Sequence, residues 1–255
     1  TLMLEETGAD LLELTGVSDA REYLVDTFRR VKTRLAAGFR AGGYRTAGFT
    51  DGAWMSSEAG FETGFETFDD AGGGLVSILP RALAWLAAGG EPPAFLFLHA
   101  YDVHCPYTSP EPFDSTFCPD HAAHLRLDDK CGKGALQDLE LTPGDLAALT
   151  DHYDGGILSA DALLGDFFQQ LRARGLYDRA LIVVTSDHGE SLGERGVIGH
   201  GGLYLEQLLV PLILKPPQGW SLPTTQVVEP VELVDLLPTL CALCSIPVGG
   251  DLDGR

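Results

Sequence analysis

The sequence predicts an α/β protein: a mostly parallel central sheet between two layers of helices. Two observations carry this. Strand-like apolar runs alternate with amphipathic helical stretches along the chain. The runs themselves, "PAFLFLHAYD" (93–102), "ALIVVTSD" (180–187) and "VPLILKPP" (210–217), are apolar almost throughout, as in strands buried on both faces of a parallel sheet.

The elements follow in order. Over 23–43, "YLVDTFRRVKTRLAAGFRAGG" repeats apolar residues at three- and four-residue steps and ends in paired glycines, a helix with a glycine stop. "YRTAGFT" is a short strand, and the glycine-rich, aromatic "GFETGFETFDDAGGG" (60–74) reads as a loop. "LVSILPRALAWLAAGG" is helical, with Pro80 near its first turn. From Cys105 to Thr142 the chain is rich in Pro, Asp, His and Gly; excursions of that length are commonly functional. Residues 142–175 form a helix capped by Thr142, with Pro143 in the first helical position and a break near Gly155 and Gly156. "VELVDLLPTLCALCSIP" is a closing helix. No internal repeat interrupts this order.

At 255 residues, with 45% hydrophobic and 21% charged, the chain has the makings of one large globular domain spanning 1–255. Its first residue, Thr1, and its last segment, "GGDLDGR", suggest truncation at both ends. A net charge of -20 argues against nucleic acid and anionic membranes as general partners, although a local basic pocket could hold an anion. The apolar runs fall short of the roughly 18 residues of a membrane span. The cysteines, Cys105, Cys118, Cys131, Cys241 and Cys244, lack zinc-ribbon spacing. Cys241 and Cys244 read as small buried apolar residues of the closing helix, whereas Cys118 and Cys131 could bridge a loop in an oxidising compartment.

In such sheets ligands sit beyond the carboxyl ends of the strands. Asp187 and His188 follow "ALIVVTS" directly. An isolated Asp-His pair is more simply a turn cap and a loop histidine. Here Gly189, Gly193 and Gly196 keep the next loop small and let the backbone approach a ligand, while a carboxylate and a neutral imidazole suit a hard cation. In "FLFLHAYDVHCPY", His99 falls within the strand as a buried, hydrogen-bonded histidine, and Asp102 reads as a local turn former. His104 lies past the strand end, before a proline expected to keep the segment extended, where it could donate to an anion or protonate a leaving oxygen. His200 reads as a loop histidine on a glycine stretch, and Glu190, Glu194 and Glu206 as solvated or helix-terminal charges. No GxSxG, P-loop or HExxH pattern occurs.

In this order and spacing, "AGGYRTAGF", "GFETGFETFDD", "FLFLHAYDVHCPY", "YDGGILSADALLGDFFQQLRARGLYDRALIVVTSDHGESLGE", "GHGGLYLEQLLVPLIL" and "VELVDLLPTLCAL" resemble the sulfatase family of the alkaline-phosphatase-like superfamily from about Ala41 to Arg255. The resemblance implies an alkaline-phosphatase-like fold and hydrolysis of sulfate esters, of small molecules or glycans, assisted by a divalent metal ion. That ion is usually Ca2+, with Mn2+ or Zn2+ as alternatives. It implies Asp187 and His188 as metal ligands, His104 as the catalytic contact to the ester's anionic group or leaving oxygen, and His200 on the sulfate oxygens. It also favours a periplasmic or secreted setting. None of the cysteines lies in the C/S-x-P-x-R motif that yields the family's formylglycine nucleophile, which in the family lies upstream with a pair of aspartates. The 255-residue chain by itself is therefore expected to bind metal weakly and to be inactive. Where many members carry G-K-x-H, this chain reads "GFTDGAWMS". That keeps phosphodiester or phosphonate monoester hydrolysis as the alternative, with a non-catalytic binding paralogue as a third reading.

Overall fold

The computed structural model describes residues 35–90, 92–117, 141–222, 226–247 and 254. They fall into two compact units, one holding the described residues up to Ala100 and those from 226 on, the other holding Tyr101–Leu222.

In the first unit a helical segment over 35–41 (α1) stops at Gly42 and at Gly43, whose φ of 85° lies in the left-handed region that favours glycine. The earlier part of that expected helix, 23–34, lies outside the described residues. Strand β1 (Arg45–Thr50) runs parallel to both its neighbours, β2 (Thr67–Asp69) and β3 (Ala94–His99), in the order β2-β1-β3. It is buried from Thr46 to Thr50, as expected of a central parallel strand. Strand β2 lies in the stretch expected to be a loop. Its Thr-Phe-Asp is too short to show a periodicity, and pairing with Ala47, Gly48 and Phe49 defines it. Gly48 makes that pairing possible: a Cβ there would sit 2.8 Å from the Phe68 ring. Phe68 in turn joins Phe61, Phe65 and Phe97, with ring centroids 5.5–6.5 Å apart.

Helix α2 (Gly74–Ala87) buries Leu75, Ile78, Leu79 and Ala82, the three- and four-residue steps that the sequence shows, and packs on β1 and β3. Because it starts at Gly74, Pro80 falls inside the helix and not near its first turn. A second cluster, of Phe39, Cys241 and Ile246, ties α1 to the closing helix, which is a turn of 3-10 helix (Leu233–Asp235) followed by α-helix over Leu236–Leu243. Cys241 is buried, Cys244 is half-buried, and both are free thiols.

The second unit is organised by a long helix, Pro143–Ala173 (α4), preceded by the short helix α3 (Phe113–Thr116) that packs on it. The expected cap is present in full: Asp145 N–H donates to the Thr142 hydroxyl (3.2 Å), and Thr142 N–H donates to the Asp145 carboxylate (2.8 Å). The expected break at Gly155 and Gly156 is absent, because α4 runs through both. The reason is steric. A Cβ on Gly155 would lie 2.6 Å from the Phe113 carbonyl oxygen, and one on Gly156 would lie 3.3 Å from that of Asp102. These glycines let the 102–113 backbone approach the helix; they do not end it.

Strand β4 (Ile182–Thr185) pairs with β7 (Leu212–Lys215), and the pairing is antiparallel. The burial expected of "VPLILKPP" is incomplete, since Leu212 is 38% and Ile213 59% exposed. Between these strands lie the two-residue β5 (Ser191–Leu192) and β6 (Ile198–Gly199), an antiparallel pair, and a single helical turn, α5 (Leu205–Leu208). Cys105, Tyr107 and Leu149 form the core beneath them, flanked by Tyr153, Leu192 and Ile198. Cys105 is disulfide-bonded; the expected Cys118–Cys131 bridge lies outside the described residues.

Two glycines of one helix should therefore respond oppositely to alanine. Gly155→Ala gains about 1 kcal/mol of helix propensity but collides with backbone, and should destabilise by about 1–3 kcal/mol net. Gly165→Ala, where an added Cβ meets nothing within 4 Å, should stabilise by about 0.5–1 kcal/mol. Urea denaturation midpoints of the two variants check this.

Candidate active site

The chain leaves β4 at Thr185 and turns through Ser186–Glu190 into β5, so Asp187 and His188 do project from a strand's carboxyl end. The Ser186 hydroxyl donates to the His188 carbonyl (2.6 Å), and Gly189 N–H donates to the Gln207 carbonyl (2.7 Å), fixing this turn. Gly189 has to be glycine, since a Cβ would fall 2.2 Å from the Glu206 carbonyl oxygen.

His104 reaches the same place from 101–107. That segment is turned, contrary to the extended form expected before Pro106: His104 N–H donates to the Tyr101 carbonyl (3.0 Å) and Tyr107 N–H to the His104 carbonyl (3.3 Å). Asp102 lies within this turn, as expected. His200 follows β6 on the glycine loop. The structure brings His104, His188 and His200 together, with one nitrogen from each lying within 4.8 Å of the others. The His188 and His200 rings stack at 4.0 Å, and His104 meets His200 edge-on at 4.9 Å.

In all three rings Nδ1 is committed. It lies 2.7 Å from the Cys105 carbonyl in His104, 2.9 Å from the Gly189 carbonyl in His188, and 3.0 Å from Glu190 Oε1 in His200. Carbonyls and carboxylates only accept, so Nδ1 carries the proton, and the neutral ring presents its lone pair on Nε2. Metal-ligating histidines have this second-shell arrangement. Asp187 stands outside the triangle, its side chain 69% exposed, with Oδ1 3.8 Å from His188 Nε2. One cation with bond lengths of about 2.0–2.5 Å could join that oxygen and that nitrogen. The donor set therefore fits a divalent ion. Asp187 and His188 supply one carboxylate and one imidazole, so Ca2+ or Mn2+ would need further oxygen ligands, and Zn2+ would suit a set richer in imidazole.

Glu190 corrects the sequence reading. Far from being solvated, its side chain is 4% exposed and takes the Tyr107 hydroxyl on Oε2 (3.0 Å) as well as His200 on Oε1. Burial, reinforced by the Glu190 charge, drives the Tyr107 phenol well above the ordinary tyrosine range; the Tyr153 phenol is raised by the same causes. Glu206 is also partly buried and ion-paired to Arg195, whereas Glu194 accepts the Leu192 N–H (2.7 Å) from an exposed position.

Gln207, 1% exposed, was not marked by any motif. Its amide donates to the Ser191 hydroxyl (2.6 Å) and the Gly199 carbonyl (3.2 Å), and its oxygen accepts from Gly201 N–H (3.1 Å) and Gly202 N–H (2.7 Å). One side chain thus fastens the loop on either side of His200. Only its place inside "YLEQLLVPLIL", a polar residue in an apolar run, hinted at this.

Three comparisons bear on the site. The family model described as Sulfatase matches residues 12–246. Among known proteins, the chain is 28% identical over 199 residues to the multifunctional alkaline phosphatase superfamily protein PehA of Trinickia caryophylli, covering 69% of this chain and 38% of that protein. It is 30% identical over 115 residues to arylsulfatase K of Bos taurus, covering 45% of this chain and 21% of that one. The phosphonate monoester hydrolase of Agrobacterium radiobacter superposes with a TM-score of 0.70 at 20% identity, over 93% of this chain and 66% of that one. The last likeness shows the fold, the α/β alkaline-phosphatase-like class expected from the sequence. The chain spans well under half the length of both curated relatives.

Replacing Gln207 by Leu should remove the loop's anchor while nearly preserving volume. We expect a loss of about 2–4 kcal/mol, from the buried groups left unpaired, as a lower urea midpoint.

Proposed function

The chain belongs to the sulfatase family, and we propose that it carries the metal-holding and charge-stabilising side of an ester hydrolase site. The observation that supports this is the imidazole triangle beside Asp187, each ring tethered through Nδ1. Asp187 and His188 would hold the divalent ion, which when bound offsets negative charge on the ester's oxygens. On a chain of net charge -20, an anionic substrate needs such local compensation.

The residues themselves divide the remaining work. His104 acts through Nε2, because its Nδ1–H is given to the Cys105 carbonyl. From the doubly protonated ring it delivers a proton to the departing oxygen; the neutral ring takes one from water. His200 contacts the oxygens of the transferring group as the doubly protonated ring, donating from Nε2 while Nδ1–H stays on Glu190. Its stacking on His188 holds the two rings so that they present their nitrogens together. Preorganised groups of this kind stabilise a transition state without reorganising during the reaction.

The substrate we assign is a sulfate ester of a small molecule or glycan, in keeping with the family and with arylsulfatase K among the relatives. Phosphonate monoester or phosphodiester cleavage is the second reading, favoured by the superposition on a phosphonate monoester hydrolase and by the likeness to a multifunctional relative.

Purified full-length protein supplied with divalent metal should turn over aryl sulfates faster than phenyl phosphonates or aryl phosphodiesters. The reverse order would establish the second reading, and no turnover of any ester would leave a binding protein. In the active enzyme, His104→Ala should lower kcat by about 100-fold or more while KM moves little. A raised KM with kcat preserved would instead make His104 a substrate-positioning group.

A further inference from the structure

Glu190 sits two positions after the proposed metal ligand His188, yet its carboxylate turns inward and is 4% exposed. A charge removed from water costs several kcal/mol unless its environment replaces the lost hydration, and an apolar residue would serve a purely structural role as well or better. The replacement here is specific. Oε2 receives the hydroxyl of Tyr107, itself 2% exposed, and Oε1 receives His200 Nδ1–H, both at 3.0 Å. Tyr107 is held from behind by packing against Tyr153, whose ring it meets edge-on at 5.6 Å, and against Leu149. As its phenol remains protonated, Tyr107 can only donate to Glu190, which assigns the orientation of the carboxylate.

We propose that Glu190 is a positioning residue for His200. It fixes the imidazole as the Nδ1–H tautomer and leaves Nε2 to serve the His104–His188–His200 cluster, with Tyr107 locking the carboxylate in that pose. Glu190 does not touch substrate. Gln207 secures the backbone on both sides of His200, and Glu190 secures the ring. This inference rests on the reading that His200 works at the ester site, but its structural half can be measured without turnover.

The test is 15N NMR on full-length protein labelled at histidine, with His200 assigned by the signals lost in His200→Asn, together with steady-state kinetics. In the wild type His200 should show a protonated Nδ1. Glu190→Gln should shift the ring toward the Nε2–H form and lower kcat by about 10- to 100-fold with little change in KM, the usual scale for an outer-shell partner. Tyr107→Phe should move both readouts the same way by less. If Glu190→Gln does not fold, the wild-type tautomer and Tyr107→Phe decide. The proposal is overturned by a wild-type His200 protonated on Nε2 and not on Nδ1. It is overturned equally by variants that lower the denaturation midpoint while the tautomer and kcat per folded molecule stay unchanged. Absence of any ester turnover in a wild type that keeps the Nδ1–H tautomer would sink the hydrolase reading and not the positioning by Glu190.

Discussion

The loop that carries His200 has almost no regular structure of its own, and the rest of the site depends on how it is held. Strands β5 and β6 contribute two residues each, and glycines surround the histidine. A backbone of that kind loses much entropy when ordered, so something must fix it from outside. The buried amide of Gln207 does so, using all of its hydrogen-bonding capacity on Ser191 and the glycine backbone. A short polar side chain has replaced the ladder that longer strands would have provided.

The same economy appears where the 101–113 segment meets α4. Two glycines in the helix remove the side chains that would keep the backbones apart, and the turn carrying His104 settles against the helix at that spot. The site is thus built from loops pinned at a few points to one long helix and one short hairpin. Such pinning combines reach with precision, which loops alone do not supply.

Much of this was legible in the sequence. The alternation of apolar runs and helical periods gave the α/β class, and Thr142-Pro143 announced the start of α4, because caps and period are local signals. The place of Asp187 and His188 at a strand end is legible because such an end is marked by a polar break in an apolar run. Three of the features that escaped show why. The three residues of β2 acquire their conformation from pairing with β1. The glycines at 155 and 156 read as a helix break because the sequence does not reveal a backbone about to approach. Glu190 reads as a surface charge because its burial depends on Tyr107, 83 positions earlier in the chain. Tertiary partners of that kind leave no trace in local composition.

The stack of His188 on His200 sets a direction of approach. Rings whose centroids are 4.0 Å apart and inclined by 28° are in van der Waals contact, so no atom fits between their faces. Anything captured by this pair must arrive edgewise, in the plane of the heterocycles. Flat guests that would slip between two aromatic plates are turned away, whereas a compact tetrahedral group can dock against their rims.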